Sequence, residues 1–380
     1  MIKGYKIRIY PTKEQETLIW KHIGACRFIW NYMLDMQKKR YADGEKYLTV
    51  FDMNKLLTPL KKQEEYQWLK EVSNASLRQT CGDLNGAYQA FFKRHNGFVR
   101  YKNRKHSKPS YPVRSDTFRF ENGYAAVAKL GRIKYKSDFQ FPEYKGHKYS
   151  NVRISYVNGK YMLSFGMERE NQAPVLTDKV LGIDLGIKDL AVCAYGDEQI
   201  VFHNINKSRQ IRRLNQRIRY TRRGISRKYE ASRRRNSGKY VKTNNIIREE
   251  EKLKLLYVRL TNIRHNYLHH TTHKLISLLP ARVIMEDLNV SGMMKNRHLS
   301  KAIAEQCFYE FIRQMKYKCK WNSIPFIQAD RFYPSSKTCS CCGAIKKDLR
   351  LSDRTYVCQE CGCIIDRDFN AAINLTKYAA

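Results

Sequence analysis

The sequence predicts a multidomain α/β protein, and three observations carry that expectation. Two short apolar runs, Val180–Gly186 and Arg282–Leu288, each hold an acid, Asp184 and Glu286, as buried strands beside a polar site would. Alternating runs flank Asn122-Gly123 and Asn158-Gly159, the signature of antiparallel hairpins. Further on, Cys339-x-x-Cys342, fifteen residues and Cys358-x-x-Cys361 have the spacing of a metal ribbon.

In chain order, Ile2, Tyr5, Ile7 and Ile9 sit among Lys and Arg, which suits a first strand. Pro11-Thr12 then opens a helix, with Thr12-x-x-Gln15 available as a capping box. Leu18, Ile19, Ile23, Cys26, Trp30 and Met33 follow at helical spacing, and Phe51–Leu60 and Ser76–Phe92 repeat the pattern. The aromatic stripes of this block are expected to be core, since large apolar side chains are usually buried. A basic loop, Arg100–Lys108, leads to a strand-rich region expected to form a small β-barrel or sandwich, closed by the linker Gln172-Ala-Pro-Val. After it come buried strands starting at Val180 and Leu190, a candidate third strand at Ile200, a long polar helical stretch, and the strand ending at Glu286. Ser300–Trp321 reads as one amphipathic helix, and Ile324–Gln328 as a last strand before the cysteines.

The charge narrows the partners. Seventy-two Lys and Arg against 35 Asp and Glu leave a formal +37, which opposes compaction unless an extended polyanion shares the surface. Aromatics at 12%, with 26 tyrosines, favour nucleic acid over a membrane or an acidic protein, because flat rings among cations suit stacked bases and phosphates. The opening residues lack an apolar core of signal-peptide length, and no apolar run reaches 18 residues, so a cytosolic location is expected. The scattered cysteines at 26, 81, 193, 307 and 319 fit that reducing setting.

Cys339, Cys342, Cys358 and Cys361 match a tetrahedral zinc ribbon, with Gly343 and Gly362 placed for tight knuckles. Four thiolates leave no open position, so this zinc is expected to hold structure and not to hydrolyse. Cys341 and Cys363 are read as bystanders, although either could replace a neighbour. An Asp inside an apolar strand costs several kcal/mol unless it is paired or metal-bound. Alone, Asp184 or Glu286 could be a hydrogen-bonded strand-end acid. With an acid at the start of the last helix, in Asp366-Arg-Asp368, they suggest an RNase H-like sheet whose carboxylates hold two Mg²⁺ ions for attack on a phosphodiester.

Four segments carry a family resemblance: Gly182-Ile-Asp184-Leu-Gly-Ile-Lys-Asp-Leu-Ala, Ile284-Met-Glu286-Asp-Leu-Asn-Val, Tyr333-Pro-Ser-Ser-Lys-Thr-Cys339 and Asp366-Arg-Asp368-Phe-Asn-Ala-Ala-Ile-Asn. The chain resembles the TnpB (OrfB) family of transposon-encoded proteins, related to type V CRISPR effectors, and the match reaches the amino end at Tyr10–Gln15 and Gly24–Tyr32. The resemblance implies an RNA-guided, Mg²⁺-dependent DNA endonuclease with a RuvC-like domain, a guide RNA from the element end, a double-stranded DNA target beside a short adjacent motif, and a monomer in complex. It puts the catalytic, magnesium-binding acids on Asp184, Glu286 and Asp368, with Asp366 capping or positioning the segment. The organisation it implies is a first wedge strand at 1–10, a helical recognition domain at 11–109 and the β-barrel (wedge) at 110–175. The nuclease domain spans 176–332 with a basic helical insertion at 205–278, then come the zinc ribbon at 333–365 and the last helix at 366–380. Two other readings stand beside it: a nuclease-inactive RNA-guided repressor, against which the presence of all three acids argues, and a transposase or its accessory, for which no Tyr-His-His constellation is visible.

Sixteen Lys or Arg and one acid, Glu230, lie between Lys207 and Arg248. Apolar residues at helical spacing on both sides of Gly224–Gly238 predict a helix pair with a basic bend, holding the backbone of a guide–target duplex or the RNA. The candidate contacts are Arg209, Arg212, Arg213, Arg217, Arg219, Arg222, Arg223, Arg227, Lys228, Arg233, Arg234 and Arg235. His265, His269, His270 and His273 have no accompanying acid motif, so packing or phosphate contact is expected of them rather than metal binding.

Overall fold

The computed structural model describes residues 2–93, 97–142, 149–169, 174–350 and 353–378. The chain divides into two compact units, residues 1–170 and 171–380. Among the described residues no helix is long and apolar enough to cross a membrane.

The first unit begins with strand β1 (Ile2–Tyr10), followed by helices α1 (Lys13–Ala42), α2 (Val50–Leu60) and α3 (Asn74–Phe92). Thr12 caps α1 through the reciprocal bonds its spacing predicts, its side chain accepting from the Gln15 N–H and its own N–H donating to Gln15 Oε1. Ile19, Ile23, Cys26, Trp30 and Met33 are buried, so the stripe is core. A 3₁₀ segment at Glu64–Glu71 has no counterpart in the sequence pattern, because i→i+3 bonding leaves no 3.6-residue period to read.

Six more strands follow: β2 (Ser110–Pro112), β3 (Phe118–Glu121), β4 (Tyr124–Val127), β5 (Gly131–Lys136), β6 (Tyr149–Val157) and β7 (Lys160–Glu168). They join β1 in one antiparallel sheet of order β2-β6-β7-β1-β5-β4-β3. Asn122-Gly123 and Asn158-Gly159 all take positive φ, from 47° to 78°, as a type I′ hairpin needs. The ladder is not closed between β2 and β3 among the described residues. Ring contacts nonetheless join strands far apart in it: Phe118 and Phe120 of β3 meet Phe165 of β7 at centroid distances of 5.9 and 5.2 Å. Where a barrel is expected, the described residues form a curled sheet around an aromatic core, with its end strands β2 and β3 not paired to each other. The linker residues Gln172 and Ala173 lie outside the described residues.

The second unit opens with β8 (Val180–Leu185), β9 (Asp189–Tyr195) and β10 (Glu198–His203), an antiparallel meander. Helices α4 (Arg209–Arg235) and α5 (Asn244–Ile276) come next, then β11 (Arg282–Glu286). Three helices, α6 (Val290–Met293), α7 (Ser300–Gln306) and α8 (Phe308–Trp321), precede β12 (Phe326–Ala329). The hairpin β13 (Thr355–Val357) and β14 (Ile364–Asp366) runs directly into α9 (Arg367–Thr376). The sheet order is β10-β9-β8-β11-β12, with β11 parallel to both β8 and β12.

Two elements differ from the expectation. The basic bend does not begin at Gly224: α4 runs through it to Arg235, and the turn lies at 236–243. An interior glycine costs about 1 kcal/mol, and the ridge of Ile211, Leu214 and Ile218 against Leu256 and Leu260 outweighs it. The stretch 300–321 is two helices, because Cys307 adopts a left-handed conformation (φ 55°). That costs about 1–2 kcal/mol, and it places the Gln306 amide to donate to the carbonyls of Gly186 and Ile187 at 2.9 and 3.2 Å. The break ties the helix to the turn that follows Asp184.

Candidate active site

Side-chain alternation sets the site. Leu181, Ile183 and Leu185 of β8 and Val283 and Met285 of β11 pack with α5 and α8 on one sheet face. The alternate residues face the other way: Val180 and Ile284 pack with Leu375 of α9. Asp184 and Glu286 belong to that second set. Met285 pairs with Ile183, so the next position on each strand puts Glu286 beside Asp184, at neighbouring carboxyl ends of two parallel strands. Such ends are where open α/β sheets bind ligands.

The third acid arrives on α9. Asp366 is its N-cap, accepting from the N–H groups of Asp368 and Phe369, both at 3.0 Å, and it is exposed. Asp368, in the first turn, is partly buried and lies 3.4 Å from Arg367 Nη2. Asp184 keeps some access to solvent, yet protein surrounds its carboxyl on the sheet face. Burial raises its pKa well above the usual carboxylate range, and the charges of Glu286 and then Asp368 push it further, with Arg367 opposing. A carboxylate that is costly to ionise beside two others is a site that gains when a cation enters. The three acids are thus coupled electrostatically around Asp184.

Gly182 sets how closely α9 can approach. A Cβ there would lie 2.1 Å from the Ala372 carbonyl oxygen, a backbone atom that cannot swing aside. Gly182→Ala is expected to push α9 off the sheet, cost about 3 kcal/mol and lower the melting point of this unit by about 10 °C. Calorimetric melting checks this, and an unchanged midpoint would mean the helix is not held there.

Sequence reasoning missed the residues that hold Glu286. The Ser335 hydroxyl, itself buried, donates to Glu286 Oε1. Asn374 donates to the carbonyls of Ser335 and Thr338 at 2.7 and 2.6 Å. Asn370 donates to Thr338 O at 2.7 Å and accepts from the Ser340 N–H at 2.9 Å. Both asparagines are buried on α9, four residues apart, and that spacing on one helix face was the available signal. They fasten the root of the cysteine ribbon to the helix that carries Asp368. Beyond Glu286, Asp287 pairs with Arg331 at 2.6 Å.

The ribbon repeats one knuckle twice. The Gly343 N–H donates to Cys339 O and the Gly362 N–H to Cys358 O, with φ of 79° and 71° at the two glycines. Sγ atoms of Cys339, Cys342, Cys358 and Cys361 all lie within 4.8 Å of one another, with Cys339–Cys361 at 3.7 Å and Cys342–Cys358 at 3.6 Å. Zn–S bonds of about 2.3 Å in a tetrahedron put sulfurs about 3.8 Å apart, so the cage fits a zinc ion. Burial opposes ionisation of Cys339, but backbone N–H groups of Cys342 and Cys341 and the neighbouring thiols outweigh it and hold the thiol down at about 6. Cys341 and Cys363 face each other at 3.0 Å beside the cage. Among the described residues, all tight groups of three or more Cys, His, Asp or Glu are in this ribbon. The histidines of α5 form none; His269 packs towards α8, where Lys318 Nζ donates to its carbonyl at 2.9 Å.

Each of the twelve basic residues named on α4 is exposed. Arg219, Arg222, Arg223 and Arg227 line a cleft of about 1070 Å³ shared with α5 and α7, and the exposed rings of Tyr220 and Tyr257 stand in it. Cations and rings on one concave surface are what a nucleic-acid strand requires.

Comparison with known proteins gives three family matches: a helix-turn-helix domain of OrfB type over residues 1–46, an OrfB-type "Probable transposase" over 164–297, and a "Cas12f1-like, TNB domain" over 308–375. A Streptomyces pristinaespiralis protein named "Putative RNA-guided DNA endonuclease" is 29% identical over 98% of this chain and 88% of its own. The Escherichia coli K12 protein "Putative RNA-guided DNA endonuclease InsQ" is 29% identical over 98% and 91%. The solved structure of the mini-RNA-guided endonuclease CRISPR-Cas_phi3 shares the fold at a TM-score of 0.50 and 11% identity, covering 99% of this chain and 92% of its own. With the two OrfB-type matches at its amino end and centre and end-to-end similarity to these relatives, the chain is similar over its whole length to OrfB-type transposon proteins and to proteins named RNA-guided DNA endonucleases.

Proposed function

We propose that the chain is an RNA-guided DNA endonuclease that cuts duplex DNA beside a short adjacent motif. What supports this is that Asp184 and Glu286 end neighbouring parallel strands and that Asp184 is coupled electrostatically to Glu286 and to Asp368 at the start of α9. A meander of three strands followed by two parallel ones, with acids at these positions, supports an RNase H-like, RuvC-type reading of the domain. Asp184, Glu286 and Asp368 would hold two Mg²⁺ ions, which when bound lower the pKa of a water and neutralise charge on the scissile phosphate. The chain's own work is placement. Ser335 orients Glu286, Asp366 fixes the helix start, and the sheet supplies the rigid floor.

The cysteine cage holds a structural zinc in this reading, and the α4 arginines carry the phosphates of a guide RNA or its heteroduplex. Base pairing would choose the sequence, while these cations set affinity and register. The first unit, with its helices and curled sheet, would grip the RNA and the adjacent motif. The test is to express the chain with the flanking sequence of its element, sequence the RNA that co-purifies, and offer matched duplex DNA in Mg²⁺. A discrete RNA with a variable end and guide-dependent cutting is the expected result. Guide-dependent binding without cutting by the wild type would replace the nuclease with a binding protein.

A further inference from the structure

The first unit holds a cavity of about 550 Å³ walled by α1, α3, β2, β6 and the loop 102–109. That is within the roughly 300–1,000 Å³ of small-ligand sites. Its cations are Arg27, Lys102, Arg104, Lys108 and Arg153, and the one acid lining it is Asp83. Asp83 is already paired, accepting from Arg153 Nη2 at 2.6 Å. The remaining cations face the cavity with no carboxylate among its lining residues to share.

Lys102 is held there by its own backbone. Its N–H donates to Asn31 Oδ1 and its carbonyl accepts from Asn31 Nδ2, both at 2.8 Å, while Trp30 Nε1 donates to Arg100 O at 3.1 Å. Its Nζ lies 3.4 Å from the Trp30 ring centroid. Burial pulls the ammonium down to about 8, which Asp83 only partly offsets. The loop beyond is folded too: His106 N–H donates to Asn103 Oδ1 at 2.6 Å and Asn103 N–H to Ser107 Oγ at 2.9 Å. The basic loop of the sequence is therefore internally hydrogen-bonded along one wall of the cavity. A desolvated cation that a neighbouring acid only partly offsets is costly, and an entering anion recovers that cost. Trp20, partly exposed and fixed by Nε1 on Tyr161 Oη, also lines the cavity and offers a flat face beside the charges.

We propose that this cavity seats one nucleotide of a nucleic-acid strand, its phosphate on Lys102, Arg104 and Lys108 and its base against Trp20. The strand can be RNA or DNA, since both present that phosphate. The proposal rests on the reading that the first unit grips nucleic acid and not on cleavage, so binding at Lys102 and guide-directed cutting can fail separately. The experiment is lysine acetylation of the full wild-type chain, read by mass spectrometry, with a short single-stranded RNA, a single-stranded DNA, a duplex DNA or orthophosphate added. At a strand concentration about fivefold above half-saturation, Lys102 is expected to be protected about fivefold or more relative to Lys160, an exposed lysine of the same unit. The stronger protector identifies the strand. Lys102→Gln is expected to reduce the salt dependence of that strand's binding by about one charge. Acetylation of Lys102 unaffected by bound strands, or reduced by orthophosphate alone, overturns the proposal whatever the cleavage assay shows.

Discussion

Asp184→Ala is expected to lower guide-directed cleavage by about four orders of magnitude, as loss of a residue acting within a catalytic unit does, while raising the melting point of the metal-free protein. The two effects have one cause. The Asp184 carboxyl is held well above the usual range by burial and by Glu286 and Asp368. For an acid whose folded pKa is raised, the folded state binds the proton more tightly than the unfolded chain. Stability therefore falls as pH rises from the unfolded value of about 3.9 towards the folded one. Alanine removes that penalty. In EDTA at neutral pH a gain of about 2–4 °C is expected for each kcal/mol relieved, along with a flatter dependence on pH above 4. Scanning calorimetry across pH measures both. A melting point lower than wild type would show that Asp184 is a structural acid. Binding of the RNA and of matched DNA is expected to persist, since Asp184 lies on the sheet and the cations of α4 are separate from it.

Cys358→Ser is expected to empty the ribbon of zinc and lower cleavage by about 10–100-fold, although no cysteine belongs to the acid cluster. Metal binding is folding energy for such a hairpin, so loss of one thiolate loosens the whole ribbon. The consequence passes through its root. Asn370 and Asn374 hold Ser335, Thr338 and Ser340, and Ser335 holds Glu286. With the ribbon unfolded, Glu286 loses its hydroxyl partner and α9 loses one of its fastenings. Cys341→Ser, outside the four-thiol cage, is expected to keep its zinc and its activity. Metal content and cleavage rate of the two variants decide the matter. A zinc-free Cys358→Ser protein cutting at the wild-type rate would separate the ribbon from the site.

Local chemistry was the legible part of the fold. Thr12 and Gln15 form the capping box that their spacing announces, and both Asn-Gly pairs turn as hairpins because few other residues accept positive φ twice in succession. The acids showed through because a carboxylate in an apolar strand needs a reason. What stayed hidden depends on distant partners. Nothing near Cys307 announces a left-handed residue; the reason lies in Gln306 reaching carbonyls more than a hundred residues earlier. Gly224 reads as a breaker until the ridge across α4 and α5 is known. Ser335 looked like any serine in a loop, and only the approach of β11 gives it Glu286. The role of Gly182 likewise follows from the helix above it.

We propose that Asp184, Glu286 and Asp368 form one nuclease centre, with Asp366 serving the helix. Cleavage of guide-matched duplex DNA in Mg²⁺ by Asp368→Asn and Asp366→Asn tests it directly. Asparagine caps a helix about as well as aspartate, so Asp366→Asn is expected to cut within about threefold of wild type. Asp368→Asn removes a carboxylate from the cluster, and its rate is expected to fall by about a thousandfold or more. Wild-type cutting by Asp368→Asn, or loss of cutting confined to Asp366→Asn, would contradict the claim.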